Sequence, residues 1–239
     1  MDSHSGARPA VIPVELTPFG FLNAYLLRGE RTVVVDTGYP SGARRMLAAL
    51  ERHGIAPSDV SLILMTHGHL DHLGGAAELR TRLRVPTALH RLDAEIAASG
   101  RDRPLRPARL AGRLFAPFAP RSAPAFQPDI VHDGELDLAP YGIAGRTIHT
   151  PGHTPGSISV LLDDCVLAGD LVVGGFLRRH VPGLPYFADD RGQLQASIER
   201  VLAVANGPLF VGHRGPVSRE SVARRFPTRS RSGRPARLG

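Results

Sequence analysis

Residues 66–75 read THGHLDHLGG, so three histidines and an aspartate fall between His67 and His72. The stretch follows SLILM, an apolar run that ends abruptly at Thr66. Imidazole nitrogens and carboxylate oxygens are the donors that zinc and other borderline or hard divalent ions take. In extended backbone alternate side chains point the same way, so His67 and His69 can face one ion together. Asp71 and His72 come where the chain turns into a helix and reach a second position beyond the first. The pattern differs from HExxH, in which two histidines share one helix face. Gly74 and Gly75 are expected to supply the conformational freedom of the turn. One histidine here would read as structural, but four ligand-type residues at this spacing and at a strand end point to metal.

Four donors do not complete two metal positions, and the rest of the chain offers three more in the same context. His153 lies in TPGHTPGS, Asp170 ends CVLAGD, and His213 follows PLFVG. Taken singly, each is weak, because a lone histidine in a turn is more often structural. Their shared place at the ends of apolar strands groups them, since strand ends gather along one edge of a sheet.

The elements that must position these residues are legible from their patterning. AVIPVEL, FLNAYLLRG and TVVVD read as strands separated by turn residues. A helix follows, with Ser41 as N-cap, Ala43, Met46, Leu47 and Leu50 on one face, and Gly54 as its stop. SLILM is a buried strand, residues 76–83 a helix, and VPTALH another strand. Residues 100–128 break the pattern with many prolines and arginines around Phe115, Phe118 and Phe126. Their composition fits a surface linker and a substrate-facing lid equally. Beyond them IVHDGELDL, GIAGRTIHT, SISVLLDD and CVLAGD are strand-like. A helix over about 193–205 carries Leu194, Ile198, Val201 and Leu202 on one face. Two similar α/β halves with packed sheets and outer helices are expected.

The 239 residues suffice for a substantial core, and the net charge is +7. All 29 basic residues are arginine. Such an excess can mark nucleic-acid binding, but arginine rising together with Ala, Gly and Pro fits a GC-rich coding bias, and no nucleic-acid partner is expected. The stretch 226–239 is polar, arginine-rich and poorly patterned, and reads as a disordered tail. No run approaches the roughly 18 apolar residues of a membrane span, and MDSHSGARPAVIPVE lacks an apolar signal core. The expected location is the cytoplasm and the expected partner a small-molecule substrate. The single Cys165 rules out an intramolecular disulfide.

HGHLDH followed in order by His153, Asp170 and His213 resembles the metallo-β-lactamase-fold superfamily of metallohydrolases. VVVDTG, TPGHTPGS and LAGD match recurrent segments of that superfamily, and the likeness runs over residues 10–225. It implies an α/β fold, a four-layer αββα sandwich of two similar halves. One domain would span residues 1–225, with the metal site along the edge between the sheets. It also implies two divalent ions, zinc foremost, with iron and manganese as other fits. By resemblance His67, His69 and His153 would hold one ion, Asp71, His72 and His213 the other, and Asp170 would bridge them. Asp36 of VVVDTG takes the place of an aspartate that orients ligands from behind, while His149 reads as structural. Some subfamilies use a cysteine ligand, but Cys165 lies five residues before Asp170 on one strand, about 16 Å away at about 3.3 Å per residue, and belongs to the core.

The implied reaction is hydrolysis, in which a metal-bridging hydroxide attacks an ester, thioester or lactone carbonyl. Asp71 would orient the nucleophile and carry a proton to the leaving group. The compact length and TPGHTPGS look like the glyoxalase II, lactonase and small-thioesterase branches. In lactonase-type relatives a tyrosine beyond the bridging aspartate meets the substrate, and Tyr186 or His180 would fill that place here. The rival of a different class is a mononuclear iron redox enzyme resembling persulfide dioxygenases. Flavodiiron relatives carry glutamate where this chain has His69, and add a flavodoxin domain. β-Lactamases act outside the cytoplasm, and phosphodiesterase relatives carry an extra domain or arm for which this chain has little room. A complete ligand set argues against a non-catalytic scaffold.

Overall fold

The protein is described from a computed structural model covering residues 8–119 and 121–227. The first sheet contains strands β1 (Ala10–Glu15), β2 (Asn23–Arg28), β3 (Thr32–Val35), β4 (Val60–Leu64), β5 (Thr87–His90) and β6 (Ile130–His132), side by side in chain order. β1, β2 and β3 pair antiparallel, while β3 to β6 run parallel. The intervening helices are α1 (Gly42–Arg52), α2 (Leu70–Leu73), α3 (Ala76–Leu83), α4 (Ala94–Ser99) and α5 (Leu110–Phe115). The second sheet joins β7 (Arg146–His149), β8 (Ile158–Leu161), β9 (Val166–Leu167) and β12 (Leu209–Phe210). A small hairpin, β10 (Val173–Gly174) with β11 (Pro182–Gly183), precedes α6 (Arg191–Val204), and α7 (Arg219–Arg225) follows β12.

Alternation along the strands of the first sheet decides which core each side chain joins. Leu26, Val34 and Ile63 pack with Met46, Leu50 and Leu79 from α1 and α3. Their neighbours Leu27, Val33, Val35, Leu62 and Leu64 face Ile158, Val160 and Leu167 of the second sheet. Leu194, Ile198 and Val201 of α6 close the far side against Val166 and Leu209. The layers are therefore helix, sheet, sheet, helix, an αββα sandwich. β4 is buried at all five positions because both its faces are covered, which explains its unbroken apolar reading. The halves share this layer order but are unequal, six strands against four. Cys165 sits in the core between the sheets.

Several local expectations are revised. α1 begins after Ser41, but the Ser41 side chain makes no capping bond. α6 starts two residues early because the Asp190 carboxylate accepts from the amides of Gly192 and Gln193 at 2.8 and 2.9 Å. Gly74 and Gly75 have ordinary helical backbone angles, φ −60° and −86°. Glycine is required there for space, since a Cβ would lie 2.5 Å from the Leu70 carbonyl at Gly74 and 2.8 Å from the Thr37 carbonyl at Gly75. Residues 100–128 are less irregular than their prolines suggest, containing α5 and a 3₁₀ turn over Ala116–Phe118. The proposed tail over 226–239 lies almost wholly outside the described residues.

Candidate metal centre

Parallel pairing brings the C-terminal ends of β3, β4 and β5 to one edge of the first sheet. Asp36 follows β3, and the HGHLDH stretch follows β4. The second sheet presents the β7–β8 connection with His153, the end of β9 with Asp170, and the end of β12 with His213. All seven candidate ligands meet at this shared edge. Three groups of donor atoms each lie within 4.8 Å of one another: His67, His69 and His153; His67, His72 and Asp170; and Asp71, His72 and His213. His67 and His72 each belong to two groups, so the three form one continuous constellation.

Backbone carbonyls and a carboxylate set which ring nitrogens face inward. His153 Nδ1 donates to the Phe187 carbonyl at 2.8 Å, and His213 Nδ1 donates to the Phe21 carbonyl at 2.7 Å. His72 Nδ1 lies 2.8 Å from Asp36 Oδ2, and an ionised carboxylate can only accept, so this nitrogen is the donor. Nε2 of each ring is left for the centre. His213 Nε2 stands 3.2 Å from Asp170 Oδ2 and 3.4 Å from Asp71 Oδ2, while His153 Nε2 is 3.6 Å from Asp170 Oδ2. Asp36 also accepts from the Thr66 amide at 2.7 Å and its hydroxyl at 2.8 Å, so it holds both ends of the loop that carries His67 and His72.

The donor set fits divalent metal. His72 Nε2 and Asp170 Oδ1 are buried without a hydrogen-bond partner, 3.5 Å apart, an arrangement that a cation between them would satisfy. A Cβ on Gly212 would lie 2.3 Å from Asp170 Oδ1 and 2.5 Å from His72 Cε1. Glycine at this position is what lets the β12 backbone approach the centre.

Electrostatics follow from crowding in a dry site. Burial, then the neighbouring His153, lowers His69 to about 3. Burial and the rings of His72, His153 and His69 hold His67 well below the ordinary histidine range. Burial would lower His72 too, but Asp36, Asp170 and Asp71 outweigh it and raise the group to about 9. Against the same burial, Asp170 and Asp71 raise His213 well above its ordinary value. Burial works to raise Asp170, but His213, His72 and His153 draw it well below the carboxylate range. Protons on His72 and His213 thus answer the carboxylate charge, and a metal cation would displace them.

Asp93 escaped the sequence reading. It is fully buried and accepts from the Gly68 amide at 2.8 Å, the Thr154 hydroxyl at 2.6 Å and the Gly156 amide at 3.2 Å. It therefore ties the His67–His69 loop to the His153 loop. An aspartate three residues past a strand carries no spacing signal of this role. The nearest clues are Gly68 and Gly156, where a Cβ would stand 2.9 and 2.6 Å from Asp93 atoms.

Of the two proposed substrate contacts, Tyr186 is buried at the cavity above the centre, with its ring centroid 6.0 Å from that of His213. His180 is not there. It is exposed, bonded through Nδ1 to the Pro216 carbonyl at 2.8 Å, and absent from the cavity lining. The hairpin β10–β11 carries it to the surface. His149 has a structural place, with Nε2 donating to the Pro155 carbonyl at 2.8 Å.

A family model described as the metallo-beta-lactamase superfamily matches residues 17–213. The chain belongs to the metallo-beta-lactamase superfamily. It is 27% identical over 206 residues to the probable metallo-hydrolase MJ0888 of Methanocaldococcus jannaschii, covering 84% of this chain and 91% of that protein. A hydroxyacylglutathione hydrolase of Anaeromyxobacter dehalogenans is 31% identical over 147 residues, 61% of this chain but 44% of that enzyme. Among solved structures, BLEG-1 B3 metallo-beta-lactamase aligns with a TM-score of 0.65 at 23% identity, over 91% of this chain and 98% of that one. That likeness shows the fold. The metallo-beta-lactamase fold implies divalent metal binding, and the edge where the donor groups meet is where its two sheets adjoin. No helix among the described residues is long and apolar enough to cross a membrane.

Proposed function

We propose that this protein is a dinuclear, zinc-dependent hydrolase that cleaves an ester, thioester or lactone of a small molecule. The observation that carries the reading is the chain of three donor groups linked through His67 and His72, set at the floor of one cavity. His67, His69 and His153 would hold one ion, Asp71, His72 and His213 the second, with Asp170 between them. Bound divalent ions supply a nucleophilic hydroxide at neutral pH and polarise the substrate carbonyl.

The remaining work falls to this chain's own residues. Asp71 lines the cavity and stands 3.4 Å from His213 Nε2. From there a carboxylate oxygen can orient the attacking water, take its proton and deliver it to the departing oxygen or sulfur. Asp36 fixes the His72 ring, and the carbonyls of Phe187 and Phe21 fix His153 and His213, so the donors are held in place before substrate arrives. The aromatic walls of the cavity reduce competing solvent.

Likeness to metallo-hydrolases supports the reaction class, and the name of the hydroxyacylglutathione hydrolase relative supports thioesters among the substrates to test. Elemental analysis of protein purified without chelator should find about two zinc ions per chain. Turnover should appear in a panel of thioesters, simple lactones and aryl esters. One iron per chain with oxygen consumption would instead establish a redox enzyme, and robust phosphodiester cleavage alone would establish a nuclease.

A further inference from the structure

Residues 100–128 contribute more than a connection. They supply Asp102, Leu105, Phe115 and Phe118 to the wall of the cavity whose floor is the metal centre. The segment is pinned against the chain beyond β11: the Ala108 amide donates to the Tyr186 carbonyl and the Ala188 amide to the Arg106 carbonyl, both at 2.9 Å. Phe21 and Tyr186 complete an aromatic surround, their ring centroids 6.0 Å apart. The space enclosed is about 220 Å³, below the roughly 300–1,000 Å³ of pockets for drug-sized ligands. It suits a short arm rather than a large fused-ring substrate.

Charge sharpens this. Among the described residues, no arginine lines this cavity. Arg109 is not a lining residue; its guanidinium carbon stacks 3.8 Å from the centroid of the Tyr186 ring. Arg103 bonds the Leu92 carbonyl and pairs with Asp93 at 3.3 Å. The polar group the segment does place in the wall is Asp102, which accepts from the Arg103 amide at 2.9 Å and has no ion-pair partner among the described residues; burial and then the neighbouring Asp71 push it up to about 7, so it carries its full charge on the alkaline side of neutrality, where the test below is run. Away from the metal centre at the floor, an anionic end of a substrate arm would meet this carboxylate among aromatic rings, with no basic side chain of the described residues in the surrounding wall.

We propose that the centre selects substrates with a short, uncharged, apolar acyl arm, and that Asp102 on the 100–128 segment is the residue that excludes anionic arms. The inference rests on the hydrolase reading above. It makes Leu105, Phe115 and Phe118 the surface that holds the arm, while the scissile carbonyl faces Asp71 and Asp170.

The test uses the zinc-loaded full chain and four N-acetylcysteamine thioesters: acetyl, hexanoyl, adipoyl and 6-aminohexanoyl. Each buried methylene contributes about fourfold, so hexanoyl should exceed acetyl in kcat/KM by more than about tenfold. Adipoyl should fall to the acetyl level or below. Asp102→Asn should raise adipoyl relative to hexanoyl by about tenfold. Phe118→Ala, at an exposed position tolerant of truncation, should lower the hexanoyl-to-acetyl ratio. Equal rates for acetyl and hexanoyl, or adipoyl matching hexanoyl, overturn the proposal, and so does 6-aminohexanoyl as the preferred substrate. If no ester, thioester or lactone is cleaved, the hydrolase reading fails by itself. Calorimetric binding of acetate, hexanoate and adipate then decides the pocket, with tighter hexanoate upholding its apolar preference and equal affinities overturning it.

Discussion

Two clusters of histidines stand at strand ends of this molecule, and only one is built as a metal site. The first gathers His67, His69, His72, His153 and His213 around Asp170. The second brings His90, His132 and His149 together from the ends of β5, β6 and β7. His90 stacks on His149 with centroids 4.4 Å apart and planes 14° from parallel, and meets His132 edge-on at 5.8 Å. Crowding is similar in both. What differs is the direction of the ring nitrogens and the presence of a carboxylate between them. Nδ1 of His90 and of His132 accepts from the amides of Leu92 and Gly134, each at 3.2 Å. In the neutral ring this leaves the proton on Nε2, the nitrogen a metal would need bare. Among the described residues, the donor groups close enough to share an ion all belong to the first cluster. Histidine density alone does not make a metal centre; ring nitrogens converging with carboxylate oxygens within reach of one ion do.

The sharpest way to break this contrast is a ligand deletion in each cluster. His69→Ala should lower turnover by more than about 100-fold, beyond the roughly 10–100-fold effect of losing an outer partner. It should also reduce the zinc content, with the fold retained by circular dichroism. His132→Gln should keep both within a few fold. Equal losses would mean that the second cluster also serves the reaction. Next in size is Asp36→Asn, which weakens the support behind His72 and should cut zinc affinity by about 10–100-fold in a chelator competition. Asp93→Ala strips Gly68, Thr154, Gly156 and Arg103 of a buried acceptor and should destabilise the chain by roughly 2–4 kcal/mol in denaturant unfolding.

Protonation separates the clusters as well. In the first, carboxylates raise His72 and His213, so zinc uptake at pH 7 should release about two protons, measurable by calorimetry in buffers of different ionisation enthalpy. In the second, burial and then His90 lower His132 to about 4. The unfolded chain, with histidine near 6.5, binds more protons than the folded chain between these values. Stability from this group is therefore full above about pH 6.5 and drains as pH falls toward 4. This is the smallest effect: the difference in unfolding free energy between the native protein and His132→Gln should change by at most about 1.4 kcal/mol per pH unit across that window. A pH-independent difference would show that His132 does not titrate between the folded and unfolded states.

Much of the centre was legible because its residues announce themselves by type and by place. HGHLDH ends an apolar run, and His153, Asp170 and His213 repeat that context, so the seven donors could be named before any coordinates. Asp36 could be named because VVVDTG resembles a recurrent segment of the superfamily. Asp93 could not, since its role consists of bonds to Gly68, Thr154 and Gly156, up to 63 residues away. His180 failed in the opposite sense. It had the right chemistry and the right distance in sequence from Asp170, but a hairpin turned it to the surface. The short helix α5 was hidden by the prolines around it, although Leu110–Phe115 contains none.

Residue chemistry and the period of apolar positions therefore pointed to the layer order and the candidate donors, because ligand type and strand alternation are local properties of the chain, while the family came from the resemblance of the joined motifs. Tertiary structure alone decided which nitrogen of each ring faces the centre, which buried carboxylate ties the loops together, and that residues 100–128 wall the cavity with aromatic rings and Asp102. Those outcomes depend on contacts between segments far apart in sequence, where close packing and the pairing of buried polar groups select the partner, and no local pattern records the choice.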